Sequence, residues 1–259
     1  MITASIDNVS PLQYARAVHC TDVSNMPQVD LEAFLRTSKE DWNIRAAVDA
    51  SLYVCASPGA SEADLRATGE EDVLREFVPR IVGYPHDTIL ELGCGFGRMS
   101  IFIADYSTRF YGVDISGALV QQAFERLVKY RSDFGPDGQA RYGTFMEVDG
   151  QTVQPIEDGV VDVAFTYIMF QHIPVEDVIV SYIRDVHRVL KPGGVFIMNG
   201  RDVPRHWNSS AWATLGNSWH GCQCGPELVR RAIDGLSFTV VREEGVGTAR
   251  YWATLQKGA

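Results

Sequence analysis

The chain has no run of about 18 consecutive apolar residues, the length a helix needs to span a membrane, so no membrane partner is expected. It has no dense basic stretch either: 23 Lys and Arg stand against 33 Asp and Glu, for a net charge of −10. Phosphate backbones are repelled overall, which argues against nucleic acid as a partner. The opening MITASIDNVSPLQ carries Asp7 and has neither a basic start nor an apolar centre, so no secretory leader is expected. Cysteines are few and odd in number: Cys20, Cys55, Cys94, Cys222 and Cys224. That argues against a disulfide framework and for a reducing, cytoplasmic setting. The pair Cys222-Gln223-Cys224 has no second Cys/His pair at finger-like spacing, so no metal site is expected.

What remains is ordinary globular material. Of 259 residues, 46% are hydrophobic and 22% charged, enough for one α/β domain with an addition. From about residue 80 onward, short apolar runs alternate with helical periodicity, the pattern of a parallel sheet covered by helices. The runs are TILEL (88–92), RFYGVDI (109–115), ARYGTFMEVD (140–149), VVDVAFTYI (160–168) and GVFIMNG (194–200). LSFTVVREE and ARYWATLQK follow as an expected antiparallel pair. Between the runs, Met99, Phe102, Ile103 and Tyr106 form one helical stripe, and Leu119, Ala123, Leu127 and Tyr130 another, capped by Ser116. The longest stripe is Val175, Val178, Ile179, Tyr182, Ile183, Val186 and Val189, stopped at Lys191-Pro192-Gly193-Gly194. A short helix is expected between Gly225-Pro226 and Gly235. The preceding residues read as helices broken at Pro58-Gly59, which divides the chain into a helical extension or lid (1–79) and a main domain (80–259).

The first strand runs into Gly93-Cys94-Gly95-Phe96-Gly97, which then opens a helix. Glycines there permit a tight turn and close approach of a ligand to main-chain N–H groups at a helix start. The dinucleotide fingerprint G-x-G-x-x-G/A asks for a small residue at the sixth position, where this chain has Arg98. Glu91, two residues before the first glycine, favours an ammonium group over a pyrophosphate.

ELGCGFG resembles the first motif, E/D-x-G-x-G-x-G, of the class I S-adenosylmethionine-dependent methyltransferases. Further motifs follow in that family's order: YGVDIS, MEVDG, VVDVAFTYIMFQHIP and VHRVLKPGG. The resemblance spans about residues 80–257 and implies a Rossmann-like seven-stranded, mostly parallel sheet. Its implied order is 3-2-1-4-5-7-6, with the last strand antiparallel and an N-terminal helical addition. It implies S-adenosyl-L-methionine as cofactor. Glu91, Gly93, Gly95 and Gly97 would cradle the methionine part. Asp114, 21 residues after Gly93, would take the ribose hydroxyls, with Ile115 beside it. Asp149 would take the adenine amino group beside Gly150, and Tyr167 would line the pocket through its backbone.

Methyl transfer to a hydroxyl needs a base, and His172, just after the fourth strand, is the candidate. Four of the five tryptophans lie past residue 200, three of them in the segment NGRDVPRHWNSSAWATLGNSWHGCQC. With the N-terminal helices, this segment supplies the acceptor-site candidates Tyr14, Trp42, His206, Trp207, Trp219 and His220. The expected function is transfer of a methyl group to a small molecule, with a hydroxyl oxygen favoured over nitrogen or carbon. A non-catalytic S-adenosylmethionine-binding protein and, more distantly, a NAD-dependent oxidoreductase are the alternatives. The D/N-P-P-Y/F motif expected after strand four of a nucleobase methyltransferase reads TYIMF here, which also counts against nucleic acid.

Overall fold

The computed structural model describes residues 31–55, 57–130, 142–203 and 221–259. The expected strands form one sheet in the order β3-β2-β1-β4-β5-β7-β6. They are β1 (Thr88–Leu92), β2 (Arg109–Asp114), β3 (Tyr142–Glu147), β4 (Val161–Thr166), β5 (Leu190–Gly200), β6 (Phe238–Glu244) and β7 (Tyr251–Lys257). β1 to β5 pair in parallel; β7 runs antiparallel to both of its neighbours, as the resemblance implied.

The central parallel strands β1 and β4 are buried on both faces, and side-chain alternation splits β1 between two cores. Leu90 and Leu92 face one core with Val113, Ala164 and Phe196. Ile89 faces the other with Phe110, Val163 and Phe165. The first core is closed by α6 (Glu176–Val189) and α7 (Pro226–Ile233). On α6 the stripe Val178, Ile179, Tyr182, Ile183, Val186 and Val189 is buried, as its period demands. Each such side chain contributes roughly 1.5–3 kcal/mol relative to exposure. The helix ends at Val189, and the Lys-Pro-Gly-Gly segment bulges within β5 between Leu190 and Val195, with Gly193 at φ 78°. A register shift between Val161 and Val163 accommodates it.

The second core is closed by α4 (Ser100–Ile103), by Leu127 of α5 (Gly117–Tyr130), and by the segment leading into β1. That segment comprises α2 (Glu62–Asp72), a π-helical turn (Val73–Phe77) and α3 (Val78–Ile81). α2 opens on a capping box in which Ser61 and Asp64 exchange side chain to backbone bonds. On α5, Ser116 Oγ accepts the Leu119 N–H as expected.

The N-terminal addition is α1 (Leu31–Cys55), laid across the carboxyl ends of the strands. Phe34 sinks into the first core beside Leu90 and Leu92. Polar ties fasten the rest. Lys39 pairs with Glu147 of β3, and Asn43 Oδ1 accepts Ser116 Oγ–H at 2.7 Å. Gln122 donates to the Ala46 carbonyl at 3.4 Å. At Asp49 the helix is interrupted by extended backbone (φ −165°, ψ 92°). The Asp49 carboxylate accepts the Leu52 N–H at 3.0 Å, so it caps the second half of α1, which carries Tyr53 and Val54.

Candidate functional site

A cavity of about 760 Å³ lies between the carboxyl ends of the central strands and the underside of α1. Ligands of parallel α/β sheets bind in this place, where strand order reverses beside β1 and the crossovers leave a crevice. Its floor is the turn after β1. Gly93, Gly95 and Gly97 have φ of 70°, 54° and 80°, a region costly for residues with a Cβ. A Cβ on Gly93 would meet Met169 Cγ at 2.7 Å, and one on Gly97 would meet Ala123 Cα of α5 at 2.9 Å. The glycines therefore clear room for the protein's own elements: the β4 loop packs on one and α5 on another. Gly93 and Gly95 line the cavity; Gly97 lies beneath α5.

Asp114 ends β2 at the cavity wall. Its Oδ2 accepts the Gly95 N–H at 3.0 Å and its Oδ1 the Ser116 N–H at 2.9 Å, which fixes the carboxylate and leaves lone pairs for a ligand. Burial pushes its pKa up to about 6, against those two hydrogen bonds. Ile115 and Gly150 stand next along the wall, where Ile115 and Leu35 crowd the Gly150 Cα.

Glu91 is placed otherwise. It points to the face of Ile89, is 4% exposed, accepts Ser100 Oγ–H at 2.5 Å and lies below the turn, outside the cavity lining. Burial lifts its pKa to about 8, so at neutral pH it is largely protonated. Asp149 is exposed and holds its own turn together, accepting N–H bonds from Gln151 (2.9 Å) and Thr152 (2.6 Å) and the Thr152 hydroxyl (2.8 Å).

At the other end of the cavity, Tyr167, Ile168 and Met169 lead from β4 into a short 3₁₀ turn carrying His172. The Trp42 ring of α1 meets the His172 ring edge-on, centroids 5.4 Å apart, so the fold joins two candidates distant in the sequence. Gln171 Nε2 lies 3.2 Å from His172 Nε2. Tyr167 engages through its ring as well: it stacks on Trp252 at 5.7 Å and 10°. Tyr14, His206, Trp207, Trp219 and His220 lie outside the described residues.

Sequence reasoning missed Ser38. It lines the cavity from α1, is 5% exposed, and its hydroxyl has no hydrogen-bond partner among the described residues. A buried unpaired hydroxyl costs stability unless something pairs with it. Its neighbours Phe34, Leu35 and Trp42 supply the apolar roof. Among the described residues no group of His, Cys, Asp and Glu could hold a metal ion, and no helix is long and apolar enough to cross a membrane.

A family model described as a methyltransferase domain matches residues 90–198. A Mycolicibacterium smegmatis protein named "probable S-adenosylmethionine-dependent methyltransferase" is 28% identical over 156 residues, 57% of this chain and 53% of that protein. The chain thus spans about half the length of that curated relative. Among solved structures, the magnesium protoporphyrin IX methyltransferase of Synechocystis, with bound S-adenosylmethionine, superposes with a TM-score of 0.59 at 16% identity. That likeness covers 90% of this chain and all of that one. The Haemonchus contortus phosphoethanolamine N-methyltransferase 1, in complex with phosphoethanolamine and S-adenosylhomocysteine, gives 0.62 at 15%, covering 89% of this chain and 50% of that one. At these identities the structural likenesses are of fold.

Proposed function

The chain belongs to the class I S-adenosylmethionine-dependent methyltransferases, and from that premise we propose that it transfers a methyl group to a small-molecule acceptor, with a hydroxyl oxygen as the receiving atom. The observation that carries this reading is the cavity beneath α1. It combines positive-φ glycines, a fixed carboxylate at the end of β2 and a roof with one unpaired hydroxyl. Bound there, S-adenosylmethionine supplies a methyl group carried on a sulfonium.

The chain's residues hold and shield it. The Gly93–Gly97 turn lies against the methionine part. Asp114 takes the ribose hydroxyls with its free lone pairs, and Ile115, Leu35 and Gly150 form the adenine slot. Asp149 keeps one lone pair of Oδ2 for the adenine amino group. Glu91 acts from below, holding Ser100 at the start of α4. α1 is the lid, and residues 1–79 work with the main domain in excluding water. His172 receives the acceptor's proton, oriented by Gln171 and by the edge of Trp42. Small acceptors are supported by the net negative charge, which disfavours nucleic acid.

The test is methyl transfer from labelled S-adenosylmethionine to a set of hydroxyl and amine acceptors. His172→Ala is expected to lower kcat at saturating hydroxyl acceptor by about 100-fold or more, with the cofactor still bound. Turnover of the variant equal to wild type across pH would remove the imidazole from the chemistry.

A further inference from the structure

A second cavity, of about 890 Å³, adjoins the first. The two share Tyr53, Val54, Ile168 and His172 as a common wall. The far side of the second cavity is built from α2, the π-helical turn and the residue after the glycine turn: Glu71, Asp72, Arg75 and Arg98. We propose that this cavity is the acceptor's site, and that the acceptor carries an anionic group, a phosphate or a carboxylate, received by Arg98. The proposal rests on the reading of the first cavity as the cofactor's.

The sign of the ligand follows from which groups are already spent. Asp72 has both oxygens taken: Oδ1 by Arg75 and Oδ2 by Arg98, the latter at 2.7 Å. Glu71 is bonded by Arg75 at 3.1 Å, and its side chain is 71% exposed, so solvent weakens its claim on any ligand. Arg98 is in the opposite condition. Its side chain is only 7% exposed, yet one nitrogen alone is engaged, and Nε and Nη1 have no hydrogen-bond partner among the described residues. Neither atom is sealed from the surface, so the donors left open on a buried, cavity-lining arginine are reached from the cavity. Arg75 is spent, with Nε on Glu76 at 2.9 Å, Nη1 on Glu71 and Nη2 on Asp72, so the open donors are those of Arg98, whose planar fork suits a planar or tetrahedral oxyanion.

The wall between the cavities bears the mark of a constrained site. Ile168 has φ of 61°, a conformation that β-branched residues rarely take, and its N–H leans on Asn199 Oδ1 at 3.4 Å. Strain of this kind persists where surrounding structure enforces it, and it collects at ligand sites. Here it sets the backbone where the two cavities meet, beside His172. An acceptor anchored by its anion at Arg98 would extend its reacting atom past Ile168 toward the first cavity.

The experiment uses the full chain saturated with S-adenosylhomocysteine, so that the first cavity is filled. Sodium phosphate, sodium acetate and tetramethylammonium chloride are titrated at constant ionic strength and followed by calorimetry and melting midpoint. Saturable binding of phosphate, acetate or both is expected, and which of them binds identifies the anionic group. Arg98→Gln and Arg98→Met are each expected to weaken that binding by about tenfold. Their S-adenosylhomocysteine affinity should stay within about twofold of wild type, which also reports that they fold. No anion binding, anion binding unchanged in both variants, or binding of tetramethylammonium instead would each overturn the acceptor assignment while leaving the cofactor cavity standing. Absence of S-adenosylhomocysteine binding in wild type would overturn the underlying reading, and this inference with it.

Discussion

Asp114 and His172 show how much a single side chain depends on what holds it. The Asp114 carboxylate is kept in place by two backbone N–H groups and is pushed toward protonation by burial, with a pKa of about 6. Hydroxyl donors from a ligand favour its charged form, so a proton competes with the ligand below that pH. Affinity for S-adenosylhomocysteine is therefore expected to rise between pH 5 and 7. In Asp114→Asn it should be about tenfold weaker at neutral pH and nearly independent of pH. Calorimetry across that range is the check, and parallel curves for the two proteins would contradict the assignment. Asp114 was legible in the sequence, because a carboxylate at the end of a short apolar run is a local feature. Arg98 was legible only as a departure from the dinucleotide pattern. Its partner Asp72 is 26 residues earlier, on a helix whose docking no local period announces.

At the scale of elements, α1 decides what kind of site this is. Its apolar spacing is irregular, because one side meets the first core through Phe34 while other residues roof a cavity. Ser38 reads in the sequence as an ordinary surface residue and becomes informative only under that roof. Removing its unpaired hydroxyl should not harm the ligand-free fold, since no hydrogen bond is lost. Ser38→Ala is therefore expected to leave the melting temperature of the free protein unchanged or slightly raised. It should weaken S-adenosylhomocysteine binding by about three- to tenfold, the worth of one hydrogen bond. Unaltered affinity would show that the hydroxyl does not face the cofactor. The helix stripes of α5 and α6 were legible because amphipathic burial on a sheet imposes a 3.6-residue period. The Lys-Pro-Gly-Gly segment was legible as the helix stop and glycine turn; only the structure shows it as a bulge inside β5, between Leu190 and Val195, which pair with β4.

For the molecule as a whole, the buried acid beneath the glycine turn makes stability depend on pH. Glu91 has an ordinary value of 4.5 and a folded value of about 8, so the folded state holds its proton more tightly than the unfolded chain does. Its contribution to stability is complete below about pH 4.5 and declines as pH rises toward 8. Asp114 adds the same sign only up to about pH 6. Between pH 6 and 8 the melting temperature is thus expected to fall more steeply in wild type than in Glu91→Gln, whose amide can still accept the Ser100 hydroxyl. Equal slopes for the two proteins in a pH series of melts would show that Glu91 ionises normally.

By itself the sequence determined the alternation of strands and helices, the glycine turn and the carboxylate at the end of β2. Each is a local pattern, written by side-chain period and by backbone conformations that only certain residues tolerate. Tertiary structure alone decided that Trp42 meets His172, that Lys39 reaches Glu147 across 108 residues, and that Glu91 turns below the glycine loop. Those outcomes depend on how layers dock and which charges end up buried together, and such docking energies are distributed over many contacts that no single stretch of chain contains.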